Sequence, residues 1–174
     1  MHFVTNPNCG AEMFKALFHG AFAASESDEE GKLIGHLAFE LASNREIQRH
    51  GIVDNQEHLC AAAFTSLLYN DQGIHALLMA PVAVDPDYQK RGLARQLIES
   101  ITQDARDRGC DILITYGDPA LYGRFGFHVV ASDIVGPPYP LQFPEGWQAI
   151  MFSSHGSIPT NYQCVKPFAN PQLW

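Results

Sequence analysis

In "PNCGAEMFKALFHGAFAA" the apolar residues Met13, Phe14, Leu17, Phe18 and Ala21 recur at three- and four-residue steps, which predicts a first helix behind a Pro/Asn/Gly opening. "SESDEEGKLIGHLAFELAS" repeats the pattern with Leu33, Ile34, Leu37 and Leu41. Ser27 stands where an N-cap belongs, and Asp28, Glu29 and Glu30 suit the positive end of the helix dipole. Gly35 weakens that helix, so a strand over "KLIGHLAFEL" is the competing reading. After Arg45 the period changes. "DNQE" and "NDQG" are turn signals between runs of strand length, which predicts an antiparallel meander. Its third run, "IHALLMAPVAV", is almost wholly apolar, as in a central strand covered on both faces. Pro81 has no N–H to give a ladder, so a bulge or local splaying of the sheet is expected there.

The clearest helix is "QKRGLARQLIESITQDARDRG", where Leu93, Leu97, Ile98, Ile101 and Ala105 share a face and Gly109 ends the run. "CDILITYG" reads as a short buried strand, and the strand, helix and strand together predict one right-handed parallel unit. "DPALYGRF" predicts a short helix with Asp118 as cap and Pro119 at the first helical position. Beyond it, strand-like runs ("GFHVVAS", "WQAIMFSS", "NYQCVKP") alternate with prolines and glycines. With no repeat or linker, a single domain over residues 1–174 is expected.

Hydrophobic residues make up 46% of the chain and charged ones 17%, as in an ordinary globular protein. "MHFVTNPNCG" lacks the basic start and apolar run of a signal peptide, and no segment approaches the ~18 apolar residues of a membrane span. A cytoplasmic location and no membrane partner are therefore expected. Cys9, Cys60, Cys110 and Cys164 are far apart and without metal-finger spacing, so the expectation is reduced, mostly buried thiols and no metal. With 19 acidic against 11 basic residues the net charge is -8, which works against nucleic acid, a partner bound through a wide basic surface.

Against that charge, "DPDYQKRGLARQLI" gathers Lys90, Arg91 and Arg95 at the head of an apolar helix. A strand ending in "VAVDPDYQKRG" and turning into a helix leaves the first helical amides pointing out of its end, where an anion is favoured. Gly92 keeps the approach to the backbone open, and Ala94 leaves similar room. The loop is neither G-x-x-x-x-G-K-[ST] nor a complete G-x-G-x-x-G. On spacing alone, a solvated basic helix start with a turn glycine accounts for it about equally well.

Gln89, Gly92 and Ala94 in "QKRGLA" match Q/R-x-x-G-x-G/A, and the segment resembles the acetyl-CoA motif of the GNAT superfamily of N-acetyltransferases. "GDPALYGRFGF" resembles a second signature of that family, one helix and one strand downstream. The resemblance is strong over residues 74–130, about a third of the chain, looser over the meander, and greatest to bacterial N-acetyltransferases carrying "GDP" and "RFGF" in these places. It implies an α/β (α+β) fold: a mixed, centrally splayed β-sheet flanked by helices, with acetyl-CoA entering the cleft. By analogy, the backbone around Val82, Ala83 and Val84 would hold the pantetheine arm and acetyl carbonyl. Gln89, Lys90, Arg91, Gly92, Leu93, Ala94 and Arg95 would hold the pyrophosphate. Many relatives place an asparagine after the fifth strand; here "GDP" stands instead, so Asp118 is read as a helix cap.

Acetyl transfer to an amine needs a neutral nucleophile, a polarised carbonyl and a proton for the departing thiolate. Tyr122 is the candidate catalytic residue, because a phenol with an ordinary pKa of about 10 holds its proton at neutral pH. Tyr116, at the end of an apolar strand, is read as core. A lysine-like amine of pKa about 10.4 is only ~0.1% neutral near pH 7 and an α-amine of about 8 is ~10% neutral, so the need for a base depends on the acceptor. Glu40, Glu57 and His58 lie in neighbouring elements, and the base stays unassigned. The leading expectation is an acetyl-CoA-dependent N-acetyltransferase acting on a primary amine of a small molecule or peptide. A CoA-binding regulatory module without transfer and a scaffold protein are the alternatives. The acceptor, the acyl-chain preference and a homodimer are left open.

Overall fold

The computed structural model describes residues 1–70, 73–132, 134–153 and 162–174. The chain divides into two compact units, Met1–Thr65 with Ala80–Ile101, and Ser66–Met79 with Thr102–Trp174.

In the first unit, α1 (Ala11–Ser25) and α2 (Asp28–Ser43) form an antiparallel-reading pair of successive helices. Ser27 Oγ accepts from the Glu30 amide at 3.1 Å, which fixes the start of α2. The helix reading prevails over the strand because the glycines that weaken α2 in isolation are what let it approach α1. A Cβ on Gly31 would lie 2.8 Å from the His19 carbonyl oxygen, and one on Gly35 would lie 3.1 Å from that of Lys15. α1 buries Phe14, Leu17, Phe18 and Ala21, while Met13, expected on the same face, is 40% exposed and lies just beyond the edge of the buried stripe. Leu33 is likewise only half-buried. Phe14 and Phe18 meet Phe64 with ring centroids 5.3 and 5.4 Å apart, joining the helix layer to the sheet.

The sheet opens with a strand the sequence did not suggest. β1 (His2–Thr5) pairs antiparallel with β2 (Gln48–Val53), which pairs antiparallel with β3 (Leu59–Leu68). β4 (Ala76–Val84) runs through Pro81, and its parallel pairing with β5 (Ile112–Tyr116) spans Ala76–Leu78 against Ile112–Ile114. Between them runs α3 (Leu93–Asp107), with Leu93, Leu97, Ile98, Ile101 and Ala105 all buried. Gly109, at φ +71°, closes α3: its amide donates to Arg106 O and the Cys110 amide to Ala105 O, both at 3.0 Å.

After α4 (Pro119–Tyr122) come β6 (His128–Val129) and β7 (Trp147–Met151). β7 pairs antiparallel with both β5 and β6, giving a mixed sheet of order β1-β2-β3-β4-β5-β7-β6. The late strand-like runs are shorter than expected: "GFHVVAS" yields the two residues of β6, and "NYQCVKP" a single bridge, Gln163 to Tyr69. Asn161, Ser154 and, in the "NDQG" turn, Asp71 and Gln72 lie outside the described residues. No helix among the described residues is long and apolar enough to cross a membrane.

Candidate functional site

β4 ends in an alternation, with Val82 and Val84 half-buried and Ala83 buried between them. The chain then makes a 3-10 turn, Pro86–Tyr88, capped by Asp85, whose Oδ1 accepts from the Asp87 amide at 2.9 Å. α3 therefore starts at Leu93, four residues later than the expected start at Gln89. Two left-handed residues separate the turn from the helix: Lys90 at φ +60° and Gly92 at φ +79°. Residues of alternating hand turn successive backbone N–H groups toward one side, a concavity that suits an anion. The Gly92 carbonyl accepts from the Gln96 amide at 3.0 Å, so Gly92 is the N-cap. Leu93, Ala94 and Arg95 then supply the first-turn amides, which have no acceptor within a helix. A Cβ on Gly92 would meet nothing within 4 Å, so packing does not demand the glycine. Its positive φ does, and the open space before it is what a side chain would fill.

The three cations differ. Arg91 Nη2 donates to the Asp87 carbonyl at 2.9 Å, and its guanidinium lies over the Tyr88 ring, 4.9 Å from the centroid. Arg95 Nη1 is 2.9 Å from Glu99 Oε1, an exposed i,i+4 pair that draws it along α3. Lys90 is exposed on its left-handed residue. Gln89 Nε2 reaches back to the Val84 carbonyl at 3.5 Å.

In the second unit, "GDPALYGRFGF" has a packing logic of its own. Asp118 caps α4 by accepting from the Ala120 amide at 2.8 Å. Gly117 is a glycine because the Tyr122 ring lies over it, 2.7 Å from where a Cβ would be. Phe127 meets that ring edge-on at 5.7 Å, and Gly126 turns the chain at φ +88°. Tyr122 is only 7% exposed, and burial pushes its phenol up to about 12, with the hydrogen-bonded Thr115 hydroxyl acting in the opposite direction. The hydroxyl thus keeps its proton throughout the neutral range. Thr115 Oγ1 itself donates to the Met79 carbonyl at 2.9 Å. Tyr116, read as core, is half-buried: its hydroxyl accepts from the Phe143 amide at 3.1 Å and its ring stacks on Trp174.

The base candidates scatter. Glu40 is exposed on α2 beside His36, Glu57 occupies a turn at φ +61°, and His58 Nε2 lies 3.1 Å from Asp85 Oδ2. Cys60 and Cys110 are buried and Cys9 and Cys164 half-buried. Among the described residues no group of three or more His, Cys, Asp or Glu could hold a metal. Sequence reasoning missed Thr115, Tyr88, Asp54 and Gly117. The Asp-Pro-Asp run at 85–87 carried a signal for a capped turn, but its contacts with the β2–β3 turn had none.

Residues 22–129 match the family model described as the acetyltransferase (GNAT) domain. The chain belongs to the GNAT acetyltransferase family. Its GNAT relatives include the uncharacterized N-acetyltransferase YhbS of Escherichia coli (strain K12), 37% identical over 113 residues, 61% of this chain. The aligned part of this GNAT chain spans 62% of that relative's length. YhbS has also been solved as a GNAT family N-acetyltransferase from Escherichia coli in complex with CoA. That structure superposes with TM-score 0.77 and 25% identity, covering 97% of this chain and 92% of that one. A GNAT family acetyltransferase from Brucella melitensis in complex with acetyl-CoA shares the fold, at TM-score 0.66 and 18% identity over 96% and 98% of the two chains.

Proposed function

We propose that this GNAT protein is an acetyl-CoA-dependent N-acetyltransferase acting on a primary amine of a small molecule or a peptide, with residues 1–174 working as one domain in the cytoplasm. The observation that carries the reading is the cradle between β4 and α3: two left-handed residues, a free helix start and open space before Gly92, with Lys90 and Arg91 beside it. The pocket of amides suits a diphosphate in charge and shape. Family membership supports the donor, and the YhbS structure was solved with CoA.

Acetyl-CoA, when bound, supplies the acyl group as an activated thioester. Within the chain, the amides from Lys90 to Ala94 bind its diphosphate, with Lys90, Arg91 and Arg95 adding charge; the Gln89 amide, expected to join them, donates to the Pro86 carbonyl and closes the 3-10 turn. The backbone of Val82, Ala83 and Val84 offers strand donors and acceptors to an extended arm, and an amide near Val82 would polarise a carbonyl. Tyr122, which holds a proton on its buried oxygen, is the group proposed to protonate the leaving sulfur. The acids from Glu26 to Glu30, in the α1–α2 connection and the first turn of α2, suit a cationic acceptor. An acidic chain of net charge -8 is a poor ligand for nucleic acid.

Thermal melts with CoA and thiol release from acetyl-CoA over an amine library test the reading. At 100 times its Kd, CoA adds about 2.7 kcal/mol of stability. A chain that CoA does not stabilise is not a donor-binding protein. One that binds CoA yet releases no thiol with any amine is a CoA-binding module.

A further inference from the structure

Two carboxylates tie the turn between β2 and β3 to the start of the cradle. Asp85 caps the 3-10 turn with Oδ1 and meets His58 Nε2 with Oδ2 at 3.1 Å. Asp54 works from the other side. Its Oδ1 accepts from the amides of Gln56 and His58 at 2.8 and 3.0 Å, and its Oδ2 from the Tyr88 hydroxyl at 3.4 Å. The Tyr88 ring is thereby held at its hydroxyl and against His58, which stacks on it at 5.5 Å with 29° between the planes. Over the same ring lies the Arg91 guanidinium, itself tethered to the Asp87 carbonyl.

We infer that Tyr88 is a positioning residue for phosphate recognition, holding Arg91 as a preoriented guanidinium, and that Asp54 and His58 act through it. An unheld arginine loses rotamer freedom on gripping a ligand, and a guanidinium already laid on a ring loses less. The planar fork then presents its remaining N–H donors to phosphate oxygens. The inference rests on the reading of the Gln89–Ala94 loop as the seat of the donor's diphosphate. CoA carries two sources of the same chemistry, its diphosphate and its 3′-phosphate.

Calorimetric Kd values for CoA and dephospho-CoA, on the full chain and its variants, test it. Arg91→Ala weakens CoA by about 10- to 100-fold, as loss of a charge-assisted bond does. Tyr88→Leu weakens it by about 3- to 10-fold, the scale of a lost cation–π platform. Tyr88→Phe, which keeps the ring but loses the Asp54 contact, recovers only part of that loss. The double variant Tyr88→Leu/Arg91→Ala binds no more weakly than Arg91→Ala alone, because a platform with nothing to hold has no effect. Arg91→Lys keeps the charge but not the fork and loses at least about fivefold, a reading that needs no change at Tyr88. Equal losses with dephospho-CoA assign Arg91 to the diphosphate, and losses confined to CoA assign it to the 3′-phosphate. Multiplicative losses in the double variant, or an Arg91→Lys chain that binds like the parent, overturn the inference while the donor reading stands. A parent that binds no CoA overturns both.

Discussion

The Thr115 hydroxyl donates to the Met79 carbonyl oxygen at 2.9 Å, one residue past the last paired rung of β4 and β5, Leu78 with Ile114. A side chain there takes over from the backbone ladder. Thr115 is fully buried, so Thr115→Val preserves shape and leaves a buried carbonyl without that donor. A loss of about 1–3 kcal/mol is expected from urea or thermal unfolding, with Thr115→Ser recovering most of it. A Val variant as stable as the parent would show the contact to be dispensable.

Tyr122→Phe removes one hydroxyl and little volume. CoA affinity and fold should survive, while kcat falls by about 100-fold or somewhat less, since a thiolate leaves readily. Equal kcat values, with chemistry shown to limit the rate, would remove Tyr122 from the reaction.

The same residue makes a prediction at high pH. Its phenol is raised by burial to about 12 in the folded chain against about 10 unfolded, so its contribution is fully present below pH ~10 and is lost as pH rises toward about 12. Over that window the parent should lose about 3 kcal/mol more than Tyr122→Phe, measured by denaturant midpoints at fixed pH steps. Parallel stability curves for the two proteins would contradict the burial of an un-ionised phenol.

Gly92→Val should abolish CoA binding without unfolding the chain. No protein atom lies within 4 Å of the added Cβ, but a φ of +79° strains any L side chain, by about 1–2 kcal/mol for one residue. The reverse change, Lys90→Gly at φ +60°, should relieve strain of similar size while removing one cation. Circular dichroism, melting temperature and calorimetry with CoA read the two effects separately.

The helix pair offers a contrast of glycines. Gly35→Val drives a side chain against the backbone of α1, at a cost of about 1–3 kcal/mol for overpacking. Gly20→Ala, also helical but with nothing within 4 Å, should instead stabilise by about 0.5–1 kcal/mol. Opposite shifts in urea midpoint are the expected outcome.

What the sequence by itself determined lies mostly within about four residues. Ser27, Asp118 and Gly109 were legible as caps and a terminator because a cap bonds its own helix's end amides or carbonyls. The cradle proposed for the donor lies within the same local range, although α3 starts at Leu93 rather than at Gln89. Val82 to Arg95 is one continuous stretch, and the anion chemistry proposed for it is backbone geometry at a helix start. Tertiary structure alone decided which distant groups meet: β1 with β2, Thr115 with Met79, Tyr88 with Asp54, His58 with Asp85. It also set the buried edge of α1, leaving Met13 out, and turned Gly31 and Gly35 from helix weaknesses into the contact surface of α2. Those pairings follow from strand order and register, which are chosen by the burial of the whole core rather than by any local preference.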